Sequence, residues 1–145
     1  MRLNAGFTLL ELLIVLSIMV LGYSAIAINF SSGNDTLALK AAARDIVSGL
    51  RYVRSQAMLS HEQSTLALNL KNNTYQLADQ EKSYAIAEDI DVTVKTAKED
   101  LDDGVAQLRF FPDGSSTGGR ILLESHAYTQ EININWLTGH VTLAQ

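Results

Sequence analysis

Hydrophobic residues are concentrated in one segment near the amino terminus. Residues 7–30 read FTLLELLIVLSIMVLGYSAIAINF, and Glu11 and Tyr23 are the only ionisable side chains among them. A helix of this length covers about 36 Å, which exceeds the hydrocarbon core of a bilayer, about 30 Å thick. Its Leu, Ile, Val and Phe side chains favour insertion by about 4 to 8 kcal/mol, against about 2.5 to 3.5 kcal/mol for one carboxylate at the bilayer centre. The segment is therefore predicted to span a membrane.

A secretory signal peptide is the competing interpretation of this segment. Arg2 could be its basic start, and residues 25–27 (AIA) resemble a small-residue cleavage site. Signal peptides, however, have apolar stretches of about 7 to 15 residues and do not gain from a carboxylate inside the stretch. On this alternative the chain would yield a secreted globular domain cleaved after Ala27.

Glu11 is a carboxylate within an apolar run, so it needs either a partner or a proton. No Lys, Arg or His lies within residues 7–30 to supply a positive charge. One interpretation is a protonated or snorkelling side chain near the membrane surface. The other is a partner from a second molecule, such as the free amino terminus of a neighbouring helix.

A second apolar pattern follows, and it has a helical period. Residues 31–36 (SSGNDT) offer a break at Gly33 and helix-capping side chains at positions 34–36. After them, apolar residues recur every three or four positions: Leu39, Ala43, Ile46, Leu50, Val53 and Ala57. This stripe predicts a helix that packs on the protein's own sheet. Four basic residues lie mostly off the stripe and are predicted to form a solvated face: Lys40, Arg44, Arg51 and Arg54.

In the second half of the chain the period changes to two, which is typical of strands. Leu66, Leu68 and Leu70 alternate with polar or small residues, as in a strand. Residues 72–73 (NN) provide a turn, and residues 74–77 form a second strand that runs back along the first. This arrangement predicts a β-hairpin.

Further short strands are predicted downstream, at residues 91–96, 107–111, 120–124, 131–136 and 141–143. Runs this short, separated by turn residues and without helical spacers, favour antiparallel sheets over a doubly wound parallel sheet. Trp136 falls on the same strand face as Ile132 and Ile134, so it is predicted to anchor the core.

Polar loops raise the question of ligand sites. The glycines and hydroxyls of residues 112–119 (PDGSSTGG) could imitate a phosphate cradle, but the GxxxxGK[ST] order is missing and no helix follows. A turn between two strands is the ordinary interpretation. Residues 88–91 (EDID) and 99–104 (EDLDDG) carry oxygen ligands that calcium prefers, but they fail the EF-hand spacing and are predicted to be solvated loops. We expect no metal site, no cofactor and no catalytic residue.

The length, net charge and cysteine content of the chain exclude several classes of function. The chain has 145 residues, 47% of them apolar, which suits one folded domain. Its formal net charge of -5 provides no general attraction to nucleic acid or anionic lipid. The absence of cysteine excludes disulfides, thiolate catalysis and cysteine-bound zinc.

Two motifs in this sequence resemble those of a known family. Residues 6–11 (GFTLLE) followed by the apolar run resemble the class III signal of type IV pilins and pseudopilins. Residues 110–121 (FFPDGSSTGGRI) are similar to the signature of the H-type minor pseudopilins of type II secretion and of FimT-like minor pilins. Residues 60–104 carry no motif of this kind.

The resemblance implies specific roles at the amino terminus. A prepilin peptidase would cut after Gly6 and methylate the new terminal residue, Phe7. Glu11 would then be the fifth residue of the mature chain, whose carboxylate meets the terminal amine of an adjacent subunit during assembly. The resemblance thus supplies the missing cation for Glu11.

The implied fold is α+β, a pilin-like fold with a long amino-terminal helix packed on antiparallel sheets. We expect a leader peptide (residues 1–6), a transmembrane and filament-core helix (7–30), an amphipathic second half of the helix (31–60) and a periplasmic β domain (61–145). The protein would sit in the bacterial inner membrane with a single pass.

The implied function is structural: a minor pseudopilin of the type II secretion pseudopilus that aids protein export across the outer membrane. Implied partners are the major and minor pseudopilins of the same filament, the prepilin peptidase, the inner-membrane assembly platform and secreted cargo. The alternative is a FimT-like minor type IV pilin in pilus assembly or DNA uptake. No Lys or Arg follows Arg120, which argues against nucleic acid as a partner.

Overall fold

The computed structural model describes residues 8–78, 80–96, 101–126 and 128–144, and of residues 24–35 it describes the backbone alone. In this part of the chain one helix precedes nine strands: α1 (Leu9–Ser60), β1 (Ser64–Asn69), β2 (Thr74–Leu77), β3 (Ser83–Ala85), β4 (Asp91–Lys95), β5 (Leu101–Asp102), β6 (Val105–Phe110), β7 (Gly119–Ser125), β8 (Tyr128–Ile134) and β9 (Val141–Ala144). The chain divides into two compact units, residues 1–35 and residues 36–145. Helix α1 contributes residues to both.

In the first unit, every described side chain from Thr8 to Tyr23 is exposed. No helix among the described residues is long and apolar enough to cross a membrane. Residues 1–7, and the side chains of residues 24–30 within the predicted membrane segment, lie outside the described part of the chain.

The chain does not leave the helical conformation at residues 33–36, where the sequence offered a break and capping side chains. Helix α1 includes these residues and ends at Ser60. A single glycine in a helix costs only about 1 kcal/mol relative to alanine, too little by itself to end a long helix.

The second unit contains two antiparallel sheets, as the short strands predicted. One sheet has the order β3-β2-β1-β6-β5 and the other the order β4-β7-β8-β9. The predicted hairpin is present as β1 and β2, with Leu66 opposite Leu77. The side chain of Asn69 accepts hydrogen bonds from the backbone amides of Lys71 and Asn72 and so closes the turn. Strands β3 and β5 were not predicted, because they have only three and two residues.

The core of the second unit lies between α1 and the two sheets. The predicted stripe is confirmed: all six of its residues are buried, together with Val47. They meet buried side chains from both sheets, among them Leu66, Phe110, Ile121 and Ile132. The backbone of Gly49 comes close to the sheet, since a Cβ built there would lie 3.3 Å from Leu66 Cδ1 and from Leu77 Cδ2.

The predicted role of Trp136 in the core is wrong, because 66% of this residue is exposed. Strand β8 ends at Ile134, two residues earlier than its apolar alternation suggested. The side chain of Asn135 accepts hydrogen bonds from the amides of Leu137 and Thr138, which starts a turn. Trp136 therefore belongs to the β8–β9 turn and not to a strand face.

Candidate functional site

The first candidate site is the amino-terminal end of α1, where Glu11 lies. Thr8 precedes the helix, and its Oγ1 accepts a hydrogen bond from the backbone amide of Glu11 at 3.2 Å. A threonine before a helix with a glutamate three residues later is the sequence form of a capping box. The cap fixes the backbone of Glu11 in the first turn, where the helix dipole favours a negative charge.

The side chain of Glu11 has no hydrogen bond or ion pair with any described residue. Its neighbours along the helix are exposed apolar side chains, including Leu10, Leu12 and Leu13. Ser17 satisfies its own hydroxyl by donating to the carbonyl oxygen of Leu13 at 2.9 Å. The apolar side chains of this surface can therefore pack in lipid or against another apolar helix. The carboxylate of Glu11 can form an ion pair with a cation.

Gly6 and Phe7, the predicted processing residues, lie outside the described part of the chain. Their roles stay predictions. Glu11 is the one predicted site residue that the structure describes.

The second candidate site is the loop of residues 111–118, which carries the signature motif. It is a turn between two strands, as predicted, and those strands belong to different sheets: β6 and β7. Within the loop, Asp113 Oδ1 accepts hydrogen bonds from Ser115 Oγ at 2.6 Å and from the Ser115 amide at 3.0 Å. The side-chain hydrogen bond from Ser115 is the main reason that the pKa of Asp113 is lowered.

The far end of this loop is attached to the β8–β9 turn. Ser116 donates its amide to the carbonyl oxygen of Trp136 at 2.8 Å and its hydroxyl to that of Asn135 at 3.1 Å. Gly118 lies so near this turn that a Cβ on it would be 2.8 Å from Trp136 Cβ. The exposed Trp136 ring is thus carried on a backbone that the signature loop holds in place.

Arg54 of α1 binds the same loop. Its Nε donates to the carbonyl oxygen of Gly114 at 3.1 Å, and the backbone of Gly139 lies directly beside that contact. Arg51 donates Nη2 to the carbonyl oxygen of Val141 at 3.2 Å. The prediction of a solvated basic face is therefore wrong for Arg54, which is half-buried and attaches the helix to loop backbone. Arg51 is exposed, although it also binds the backbone of β9.

The acidic segments do not form a ligand site in the described residues. Glu88 and Asp89 are exposed, and Asp103 pairs with Lys71 Nζ at 2.6 Å. Glu99 and Asp100 lie outside the described part of the chain. Within the described residues no group of three or more His, Asp or Glu side chains could hold a metal ion.

The architecture defines a class of protein. A long helix whose first turns expose apolar side chains, and whose later turns pack under two antiparallel sheets, is that of pilin-like proteins. Residues 42–139 match the family described as Type II transport protein GspH, and residues 1–27 match the prokaryotic N-terminal methylation motif. The chain belongs to the GspH family, and its function is that of a minor pseudopilin with a structural role in type II secretion.

Individual relatives agree with this assignment. The chain is 28% identical to the type II secretion system protein H of Xanthomonas campestris pv. campestris over 138 residues, covering 94% of this chain and 80% of the relative. The minor pseudopilin EpsH of the Vibrio cholerae type 2 secretion system has the same fold, with a TM-score of 0.58 and 14% identity over 72% of this chain and 94% of EpsH.

A type IV minor pilin is similar to the same degree. One structure of FimU from Pseudomonas aeruginosa gives a TM-score of 0.59 at 15% identity, covering 80% of this chain and 92% of FimU. At such identities the structural matches show the fold alone. The fold class predicted from the sequence is thereby confirmed, and the family assignment rests on the sequence matches.

Proposed function

We propose that the chain is cut between Gly6 and Phe7, anchored in the bacterial inner membrane by its amino-terminal helix, and assembled into the pseudopilus with its second unit in the periplasm. The methylation motif over residues 1–27 supports the processing step. The exposed apolar side chains of residues 9–23 support the anchor, because they gain free energy in lipid or against another apolar helix.

Glu11 has a defined part in this proposal. Its carboxylate stands among exposed leucines and is paired with no described residue, so its burial would leave an uncompensated charge. The amine of a processed Phe7 on a neighbouring subunit would remove that cost by forming an ion pair. Because only a subunit in the correct register brings the amine to Glu11, the same contact also selects the register of assembly.

The proposed role is mechanical and not enzymatic. The helix stores the subunit in the bilayer and later packs in the filament core, while the second unit presents surfaces to other pseudopilins or to secreted cargo. Other pseudopilins of the filament, the prepilin peptidase and the inner-membrane assembly platform are the proposed partners. The observation that carries this function is the family match over residues 42–139 together with the motif at residues 1–27.

The intact mass of the membrane-extracted protein tests the processing step. We expect a chain that begins with N-methylated Phe7. A Gly6→Val substitution should block cleavage, whereas Ala5→Ser, one position earlier, should not. An uncleaved chain beginning at Met1, or a chain beginning at Ile28, would contradict the proposal.

DNA binding by a FimT-like minor pilin is the second candidate function, because the fold is shared with the type IV minor pilin FimU and does not by itself separate the two classes. Against it, residues 121–145 contain no Lys or Arg to contact phosphates. We expect no retention on DNA at physiological salt. Retention that falls steeply as salt rises would show phosphate contacts and reverse the ranking of the two functions.

A further inference from the structure

A cleft of about 430 Å³ separates α1 from the β2–β3 hairpin in the second unit, away from the signature loop. Its lining combines aromatic rings with hydrogen-bonding groups: Asp45, Ser48, Tyr52, Tyr75, Gln80 and Tyr84. Gly49 forms part of the floor, where the helix backbone comes close to Tyr75.

The aromatic wall of the cleft is preorganised. The rings of Tyr75 and Tyr84 stack with centroids 5.1 Å apart and an angle of 14° between their planes. The Tyr84 hydroxyl donates to Gln80 Oε1 at 2.7 Å, which fixes the outer ring. Lys82 Nζ lies 4.9 Å from the Tyr84 ring centroid, so a positive charge of the chain itself occupies this ring face, and an incoming cation would have to displace it.

Two acceptors in the cleft have no partner among the described residues. The Asp45 carboxylate is exposed and makes no hydrogen bond or ion pair there. The Tyr75 hydroxyl also makes no hydrogen bond with a described residue, although it interacts electrostatically with the carboxylate of Asp45. A ligand that donates several hydrogen bonds and carries a positive charge would satisfy both groups.

We propose that this cleft binds the guanidinium group of an arginine side chain from another protein subunit. A guanidinium is planar, stacks on aromatic rings, and presents several donors to a carboxylate and a hydroxyl together. The formal net charge of -5 adds a general attraction for a basic partner. All the residues involved belong to the second unit, so the inference does not depend on the membrane arrangement or on the processing step.

An NMR titration of the full-length protein in detergent micelles tests the inference. The probe is N-acetyl-L-arginine amide, compared with the citrulline analogue, which has nearly the same shape without the charge, and with the lysine analogue. We expect saturable shifts confined to the amides around Asp45, Tyr75 and Tyr84. Citrulline should bind about tenfold more weakly or not at all, because it lacks the ion pair with Asp45.

Substitutions supply the matched comparison. Asp45→Asn should remove the arginine response, whereas Asp91→Asn, at an exposed carboxylate on β4, should preserve it. The inference is overturned if citrulline or the lysine analogue binds as tightly as arginine, if Asp45→Asn has no effect, or if the shifts lie outside the cleft.

Discussion

Replacing Gly139 with alanine would perturb the contact that joins α1, the signature loop and the β8–β9 turn. Gly139 has a φ of +60°, in the left-handed region that side chains disfavour. A Cβ at this position would collide with the carbonyl oxygen of Gly114 and would lie 2.9 Å from Arg54 Nε. Because the first of these atoms is backbone, the clash cannot be relieved by rotating a side chain.

The expected cost has two parts. Holding alanine in the left-handed conformation costs about 1 to 2 kcal/mol. Moving the Gly114 carbonyl away breaks its hydrogen bond with Arg54, and a bond from a charged donor contributes about 1.5 to 3 kcal/mol. We therefore expect the free energy of unfolding of the second unit to fall by about 2.5 to 5 kcal/mol, which lowers the Tm by about 10 to 20 °C for a domain of this size.

Thermal unfolding of the full-length protein in detergent measures this loss, with circular dichroism as the global signal. The single tryptophan, Trp136, lies on the affected turn and gives a local fluorescence signal. Gly104→Ala is the matched control: Gly104 has a φ of +80°, but its added Cβ would meet only the flexible side chain of Lys71, at 3.0 Å and beyond. The control should lose about 1 to 2 kcal/mol.

The comparison separates backbone strain from the clash. A Gly139→Ala protein that unfolds at the same temperature as Gly104→Ala would refute the reasoning, because the clash and the lost hydrogen bond would then contribute nothing. An equally large loss for both variants would refute it too, because the control has the left-handed strain without the backbone clash.

Three further predictions concern other parts of the molecule. Glu11→Ala should greatly reduce incorporation into the pseudopilus without lowering the Tm of the second unit, whereas an unchanged amount of incorporated subunit would contradict the proposed ion pair. Trp136→Ala should change the free energy of unfolding by less than about 1 kcal/mol, since the ring is exposed, whereas Ile132→Ala, in the core, should lower it by about 2 to 5 kcal/mol. Urea unfolding measures both values, and equal losses would show that the tryptophan does support the core. Burial and the charge of Asp45 raise the pKa of Tyr75, so the stability that this residue contributes is complete below pH 10 and is lost as the pH rises through its folded-state pKa. A Tyr75→Phe protein should therefore lose less stability above pH 10, and parallel pH profiles for the two proteins would exclude this linkage.

Residues with a strong local pattern could be interpreted from the sequence. The stripe from Leu39 to Ala57 was predicted because a helical period of apolar residues is a property of the residues themselves, whatever they pack against. The β1–β2 hairpin was predicted because Asn72 and Asn73 favour a turn between alternating leucines. Trp136 was misplaced because alternation alone does not show where a strand ends, and the turn begins at Asn135.

The candidate sites also divide into those that a local sequence motif reveals and those that depend on contacts between distant residues. Gly6, Phe7 and Glu11 were singled out by a contiguous motif, so no knowledge of distant residues was needed. The bond of Arg54 to Gly114 joins positions 60 apart in the chain, and that of Arg51 to Val141 joins positions 90 apart. Neither contact leaves a local pattern in the sequence.

The sequence by itself thus determined the family, the apolar amino-terminal helix and the antiparallel class of the second unit, because each follows from residues that are close in the chain. The tertiary structure decided which basic residues of α1 bind the sheets, why Gly139 must lack a side chain, and that Asp45 faces a pair of stacked tyrosines. These features depend on how strands from two sheets meet one helix, and composition and periodicity do not encode that geometry.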